Sequence, residues 1–144
     1  MATVREILLN KDPWVASIGP RASALEAALT MNRHKVGSLM VMDGTTVVGI
    51  LTERDLLQRV LAEQLDAAKT PVGEVMTTEI LCCQPHTTIE EARVVMKDRR
   101  VRHLPVVDHE GLHGMISIGD LNAYEAHSQE VTIHFLQEYI HGRA

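Results

Sequence analysis

The length and composition of the chain already narrow its class. Of its 144 residues, 45% are hydrophobic and 23% are charged, which excludes a disordered tail, a collagen and a coiled-coil rod. The formal net charge of −5 provides no overall positive field, which disfavours nucleic acid as a partner. The apolar runs fall far short of the roughly 20 residues that span a bilayer, and the N-terminus lacks the pattern of a signal peptide. We therefore predict a cytoplasmic protein with no membrane partner.

The first half of the chain predicts a strand, a helix, a β-hairpin and a second helix. Ser23 is a cap residue ahead of an amphipathic stretch, and Asp43-Gly44 separates two β-rich runs, as is typical of a hairpin. The predicted elements are a strand at Val15–Ile18, a helix at Ala24–Arg33, strands at Leu39–Met42 and Val47–Leu51, and a helix from Glu53 to about Leu65.

The second half predicts the same order of elements after a linker at Ala67–Pro71, and Thr87-Thr88 are the cap residues ahead of its first helix. Cys82 and Cys83 are neighbours, and adjacent residues do not readily meet disulfide geometry, so we expect reduced thiols in a half-buried strand. The predicted elements are a strand at Ile80–Cys83, a helix at Ile89–Arg99, strands at Leu104–Val107 and Leu112–Ile116, and a helix from Ile118 onward.

The two halves are copies of one another. Sliding the sequence by 65 residues aligns Pro20–Leu56 with Pro85–Leu121 without a gap, and 11 of the 37 pairs are identical, against roughly 2 by chance. A unit of about 65 residues is marginal alone. We therefore predict an α+β fold of two tandem β-α-β-β-α repeats, residues 1–67 and 68–127, packed about a pseudo-twofold axis, with a C-terminal helical extension at 128–144.

One motif occurs in both repeats. It reads Gly49-Ile-Leu-Thr52-Glu-Arg-Asp55 in the first and Gly114-Met-Ile-Ser117-Ile-Gly-Asp120 in the second. A hydroxyl residue three positions before an acid resembles a capping box, in which both side chains bond backbone N–H groups. A capping box prefers the longer Glu or Gln, so the Asp is freer to point outward and accept hydrogen bonds from a vicinal diol, beside a helix N-terminus that suits a phosphate. Both interpretations stay open.

The two motifs, with Arg102-His-Leu-Pro-Val-Val-Asp108 before the second, resemble a pair of CBS domains, the repeat named after cystathionine β-synthase. The resemblance implies clefts between the repeats that bind AMP, ADP, ATP, NAD or S-adenosylmethionine, and a homodimer. It implies that Asp55 and Asp120 bind ribose, with Thr52 and Ser117 beside them, and that Arg102 and His103 approach phosphates. The other candidate nucleotide-binding residues are Lys35, Arg54, Ile80, Arg100 and Pro105.

The first repeat departs from this pattern, because Gly37 and Ser38 replace the basic pair and Met40 replaces Pro105. Lys35 and Arg54 could compensate, but we expect asymmetric affinity. The cations Arg93, Lys97, Arg99, Arg100 and Arg102 cluster around the end of the second repeat's first helix; a solvated helix end, a phosphate clamp and a nucleic-acid patch are the alternatives.

No motif of a catalytic site is present, so we predict a non-enzyme without a cofactor. His109-x-x-x-His113 has ligand-like spacing but no Cys or second pair nearby, so we expect no metal site. The leading hypothesis is a stand-alone adenine-nucleotide sensor read by a partner protein, whose identity the sequence leaves open. The alternatives are a structural or interaction protein, metal-linked in one version, and a nucleic-acid accessory protein.

Overall fold

The computed structural model describes residues 1–12 and 14–128. The predicted extension at 128–144 thus lies outside the described residues, apart from Ser128. The chain divides into two compact units. The first unit is Trp14–Leu81, and the second combines the N-terminal segment, including helix α1 (Val4–Leu9), with the chain from Cys82 onward. None of the helices within the described ranges has the length and apolar character needed to cross a bilayer.

In the first unit, a three-stranded sheet packs with the two predicted helices and with a short helix at Val72–Val75 that was not predicted. Ser23 caps the first of them, since its Oγ accepts a hydrogen bond from Glu26 N at 3.0 Å. The elements are β1 (Ser17–Ile18), α2 (Ala24–His34), β2 (Ser38–Asp43), β3 (Thr46–Thr52), α3 (Glu53–Asp55) with a π-helical continuation (Leu56–Leu61), and α4 (Val72–Val75).

The sheet has the order β1-β2-β3, with β1 parallel and β3 antiparallel to β2. Alanine, leucine, valine and methionine side chains of β2, β3 and the helices form one buried core. The predicted second helix is too long. It ends near Leu61, and Gln64 adopts a left-handed φ of 57°, a conformation that a continuing helix does not permit.

The second unit repeats this plan with a two-stranded sheet. Thr88 caps the first helix of this unit, as predicted, and forms a capping box with Glu91. The two strands are antiparallel and share with the first hairpin a register shift at the same repeat position, between Val41 and Met42 and between Val106 and Val107. The elements are α5 (Ile89–Arg99), β4 (His103–Asp108), β5 (Gly111–Ser117) and α6 (Ile118–Ser128).

The strand predicted at Ile80–Cys83 is wrong. Only an isolated bridge joins Cys83 to Val106, whereas in the first unit Met40 N donates to Ala16 O at 2.9 Å and extends β1 along β2. Pro105 stands at the position of Met40 and has no N–H to donate. The proline therefore removes the ladder bond that would begin the third strand.

The helix ahead of each repeat packs with the other repeat. Val4 N donates to Thr87 O at 2.9 Å, and Ile89 N donates to Ala2 O at 3.1 Å. The same bonds recur in the first unit, from Val72 N to Ala22 O and from Ala24 N to Thr70 O, both at 2.8 Å. Each compact unit therefore contains the leading segment of the other repeat. The boundaries of the units differ for this reason from the repeat boundaries 1–67 and 68–127.

The α+β fold class is confirmed. The described residues contain six α-helices and two small sheets. Cys82 is exposed and Cys83 buried, and both are free. Burial is the main reason why the pKa of the Cys83 thiol rises to about 11.

Candidate functional site

Each motif lies where the second strand of a hairpin turns directly into a helix. We name these places the first corner, at Thr52 and Asp55, and the second corner, at Ser117 and Asp120. In the second corner, Asp120 N donates to Ser117 Oγ at 3.0 Å and Ser117 N donates to Asp120 Oδ2 at 2.8 Å. In the first corner, the corresponding distances are 3.2 Å and 3.0 Å. Both motifs are therefore capping boxes.

The expectation that a short Asp side chain would point away from the cap is wrong. At the third helical position, the carboxylate lies close enough to the cap N–H to accept its hydrogen bond in both corners. The capping interpretation and the ligand interpretation do not exclude one another, because a carboxylate has two oxygens and several acceptor positions.

The two motif acids differ in what else they contact. Asp55 is nearly buried, with 8% of its side chain exposed; its Oδ1 accepts a hydrogen bond from Thr77 Oγ1 at 3.0 Å, and Arg59 Nε lies 3.8 Å away. Asp120 is 25% exposed, and its Oδ2 accepts from Lys11 Nζ at 2.7 Å. Lys11 Nζ also donates to Met115 O at 2.7 Å. The first acid thus has a hydroxyl at hydrogen-bond distance and a guanidinium farther away, whereas the second acid contacts an ammonium directly.

The motif glycines allow the helix ahead of each repeat to approach the strand. A Cβ at Gly49 would lie 2.6 Å from Met76 Sδ and 3.0 Å from Thr77 O, and a Cβ at Gly114 would lie 2.9 Å from Leu8 Cδ2. Leu8 and Met76 stand 68 positions apart, the same offset that relates Val4 to Val72. Residues from these leading segments therefore form one wall of each corner.

The predicted basic pair is brought to the second corner. Arg102 O accepts a hydrogen bond from Ile118 N at 2.9 Å, and His103 pairs with Ser117 across the two strands. The Arg102 side chain is exposed and His103 is half-buried. Pro105 is fully buried. The backbone of Arg102 and His103 thus lies beside the start of α6, where Ser117 and Asp120 form the capping box.

The first corner has no such pair. Gly37 O accepts a hydrogen bond from Glu53 N at 3.0 Å, and Ser38 is buried opposite Thr52. The Glu53 carboxylate lies against Gly37, so an acid stands where the second corner has a base. Lys35 adopts a left-handed φ of 54° at the end of α2, and Arg54 is exposed.

Two further candidates lie at the edges of the repeats. Ile80 is half-buried in the first unit, and Arg100 is the left-handed C-cap of α5, with φ of 54°. Of the cation cluster, Arg93 is engaged within the second unit, where its guanidinium lies 2.9 Å from Glu125 Oε1. The positions of Lys11 and Thr77 were missed, because neither residue belongs to a recurring motif.

His109 and His113, which have ligand-like spacing in the sequence, contact different acids. His109 is 86% exposed beside Glu110, while His113 Nε2 lies 2.6 Å from Asp108 Oδ1. The hydrogen bond from His113 is the main reason why the pKa of the Asp108 carboxyl lies below its ordinary value.

Comparisons with known proteins agree with this architecture. The sequence model described as "CBS domain" matches residues 4–62 and 72–127. The CBS domain-containing protein YhcV of Bacillus subtilis is 36% identical over 121 residues, which are 84% of each chain. A solved structure of a candidate signal-transduction protein with CBS domains from Burkholderia ambifaria is 33% identical, with a TM-score of 0.86 over 89% of this chain and 96% of that one.

Oligomers occur among the related structures. The hexameric CBS-CP12 protein from bloom-forming cyanobacteria is 26% identical, with a TM-score of 0.73 over 83% of this chain and 65% of that one. Because two matched copies together span most of the sequence, the chain belongs to the CBS-domain family and is a tandem pair of CBS domains.

Proposed function

We propose that this CBS-domain pair is a non-catalytic regulatory module that binds an adenosine-containing ligand, such as AMP, ADP, ATP, NAD or S-adenosylmethionine, and reports its presence to a partner protein. The second corner is the tighter site and the first corner the weaker. The observation that carries the proposal is the backbone bond from Ile118 N to Arg102 O, because it joins the basic pair to the helix start that also holds Ser117 and Asp120.

The chemistry of the second corner fits both ends of a ribonucleotide. Asp120 Oδ2 bonds Ser117 N and Lys11, while Oδ1 accepts no hydrogen bond from a residue within the described part of the chain. An ionised oxygen of this kind accepts hydrogen bonds from the paired hydroxyls of a ribose. The N-terminus of α6 and the exposed Arg102 suit an adjacent phosphate.

The first corner supports weaker binding for two reasons. Both oxygens of Asp55 already accept hydrogen bonds, from Thr52 N and Thr77 Oγ1, and Glu53 rather than a base stands beside the helix start. A phosphate placed there would meet a like charge, which disfavours binding.

The experiment is a thermal-shift panel of adenosine, AMP, ATP, NAD and S-adenosylmethionine on the full chain. A ligand at 100 times its dissociation constant adds about 2.7 kcal/mol to the free energy of unfolding. Asp120→Asn should weaken every ligand, because all of them carry the diol, and Asp55→Asn should weaken binding less. Arg102→Ala should weaken AMP and ATP but not adenosine.

Arg33→Ala is the matched control, since Arg33 is an exposed cation in the last turn of α2, and this variant is expected to leave all affinities unchanged. Each shift is referred to the melting temperature of the same variant without ligand, because both Asp residues also cap helices. Equal binding by wild type and Asp120→Asn would refute the diol assignment.

A second candidate function is an interaction module without a nucleotide ligand. It is favoured by the capping boxes, since both motif acids already bond their own backbone. A panel without any shift, together with a stable homodimer in light scattering, would support this candidate. The family resemblance implies a homodimer for the ligand-binding module as well, so light scattering with and without ligand distinguishes a ligand-dependent assembly from a constant one.

A further inference from the structure

The turn of the second hairpin brings three metal-ligating side chains together. β4 ends at Asp108 and β5 begins at Gly111, so that His109 and Glu110 form a two-residue turn. Asp108 Oδ1 accepts a hydrogen bond from Glu110 N at 2.8 Å and lies 2.6 Å from His113 Nε2. One ligand atom from each of Asp108, Glu110 and His113 lies within 4.8 Å of the other two.

A β-bulge explains why His113 faces this turn. Val106 pairs with Gly114 and Val107 pairs with Leu112, so His113 is the extra residue of β5. A bulge redirects the side chain of the extra residue and is frequent next to functional sites. The imidazole consequently reaches Asp108 at the strand end, where 31% of the His113 side chain and 20% of the Asp108 side chain are exposed.

We propose that Asp108, Glu110 and His113 bind a divalent transition-metal ion, for which zinc is the appropriate probe. Zinc accepts imidazole nitrogen and carboxylate oxygen at about 2.0–2.2 Å in tetrahedral sites. The nitrogen ligand disfavours magnesium and calcium, which prefer oxygen. Two ionised carboxylates and a neutral imidazole also balance the charge of the ion.

Only small movements would assemble the site. With these bond lengths, two tetrahedral ligand atoms stand about 3.3 Å apart, so the His113 and Asp108 atoms must separate slightly from 2.6 Å while Glu110 approaches. The ion takes the place of the proton that now joins the imidazole and the carboxylate. Glu110 is 69% exposed, and its side chain is therefore able to turn.

Space for a fourth ligand adjoins the turn. A cavity of about 650 Å³ is lined by Asp108 and His109, together with Arg5, Cys82 and His86. Because Asp108 lines this cavity, a water molecule within it would be the fourth ligand of the ion, as in zinc sites with three protein ligands.

The first hairpin is an internal control, because it has the same bulge and the same turn position without the ligands. Asp43, Thr45 and Val48 stand at the repeat positions of Asp108, Glu110 and His113. His113→Val and Glu110→Thr therefore install residues that this hairpin architecture already accommodates, whereas Asp43→Asn removes an acid that has no partner ligands.

The test is a zinc titration of the full chain by calorimetry, after treatment with a chelator and dialysis. We expect one ion per chain, and a loss of affinity of more than about 100-fold in His113→Val and Glu110→Thr, since the loss of an outer-shell partner alone costs about 10–100-fold. Asp43→Asn should bind as wild type does. The melting temperature should rise with zinc in wild type and Asp43→Asn only.

Cobalt substitution separates this site from one built on the thiols. Wild type should show visible bands of tetrahedral cobalt without a thiolate charge-transfer band, and His113→Val should lose them. Absence of zinc binding by wild type, unchanged binding by His113→Val, or a charge-transfer band that disappears in Cys82→Ser would each overturn the proposal. Far-ultraviolet circular dichroism of every variant without metal verifies that the variants are folded.

Discussion

The two corners of this protein have the same backbone frame but different surroundings. In both, a strand ends at a hydroxyl residue, a capping box starts a helix, and a glycine admits the neighbouring leading segment. The difference lies in the neighbouring groups. Asp120 contacts Lys11 at 2.7 Å and lies near the backbone of Arg102. Asp55 contacts Thr77 at 3.0 Å, has Arg59 at 3.8 Å and lies near Glu53. The repeated motif therefore specifies the backbone frame, and non-repeated residues specify the charged and polar groups around each corner.

The sheets differ for a similarly local reason. Met40 and Pro105 occupy the same repeat position, and both are fully buried, yet only Met40 donates a backbone hydrogen bond, to Ala16 O. The ring of Pro105, which includes the backbone nitrogen, thus determines that the second sheet has two strands and not three.

The largest effect is expected from exchanging these residues. Met40→Pro should lower the free energy of unfolding by about 2–5 kcal/mol, because it removes a buried side chain and the ladder bond that holds β1. Denaturant unfolding measures the change, and hydrogen exchange should show faster exchange in residues 15–18.

Pro105→Met is the reciprocal variant. It restores an N–H at the repeat position of Met40, whose N–H holds the first strand through Ala16 O, so slower amide exchange is expected at Cys82 and Cys83. Unchanged exchange in both variants would mean that another contact limits the third strand.

Substitutions of the two motif acids should lower the free energy of unfolding by smaller amounts, and by different amounts. Asp55→Ala leaves Thr77 Oγ1 and Thr52 N without their buried acceptor and should cost about 2 kcal/mol. Asp120→Ala occurs at a more exposed position and should cost about 1 kcal/mol, the typical value of a lost cap. Chemical denaturation without ligand measures both, and a larger loss in Asp120→Ala would reverse this ranking.

Much of this frame was predictable from the sequence, because the signals are local. Ser23 and Thr88 indicated the starts of α2 and α5, and the β-rich runs around Asp43 indicated a hairpin. The partners of the motif acids were not predictable, since Lys11 and Asp120 are 109 positions apart and only the folded chain brings them together.

The wrong prediction of a strand at Ile80–Cys83 has a different origin. Pro105 was visible in the sequence, but its effect depends on which neighbouring carbonyl needs a donor, and that follows from the parallel pairing of β1 with β2. The expectation that the motif Asp side chains point away from the cap arose from the general preference of capping boxes for longer acids. The geometry of Thr52–Asp55 and Ser117–Asp120 overrides that preference.

The smallest effects on the free energy of unfolding are expected from removing the Lys11 ammonium or the Thr77 hydroxyl. Lys11→Met should lower the free energy of unfolding by at most about 1 kcal/mol at low salt, because the pair with Asp120 is partly exposed, and the difference should shrink as salt screens the charges. Thr77→Val should cost about 1 kcal/mol at every salt concentration, since its bond to Asp55 Oδ1 involves no second charge. Denaturation in 0.02 M and 0.5 M NaCl compares the two variants with wild type. An equal salt response of the two variants would show that the charge of Lys11 contributes nothing to the stability of the second corner.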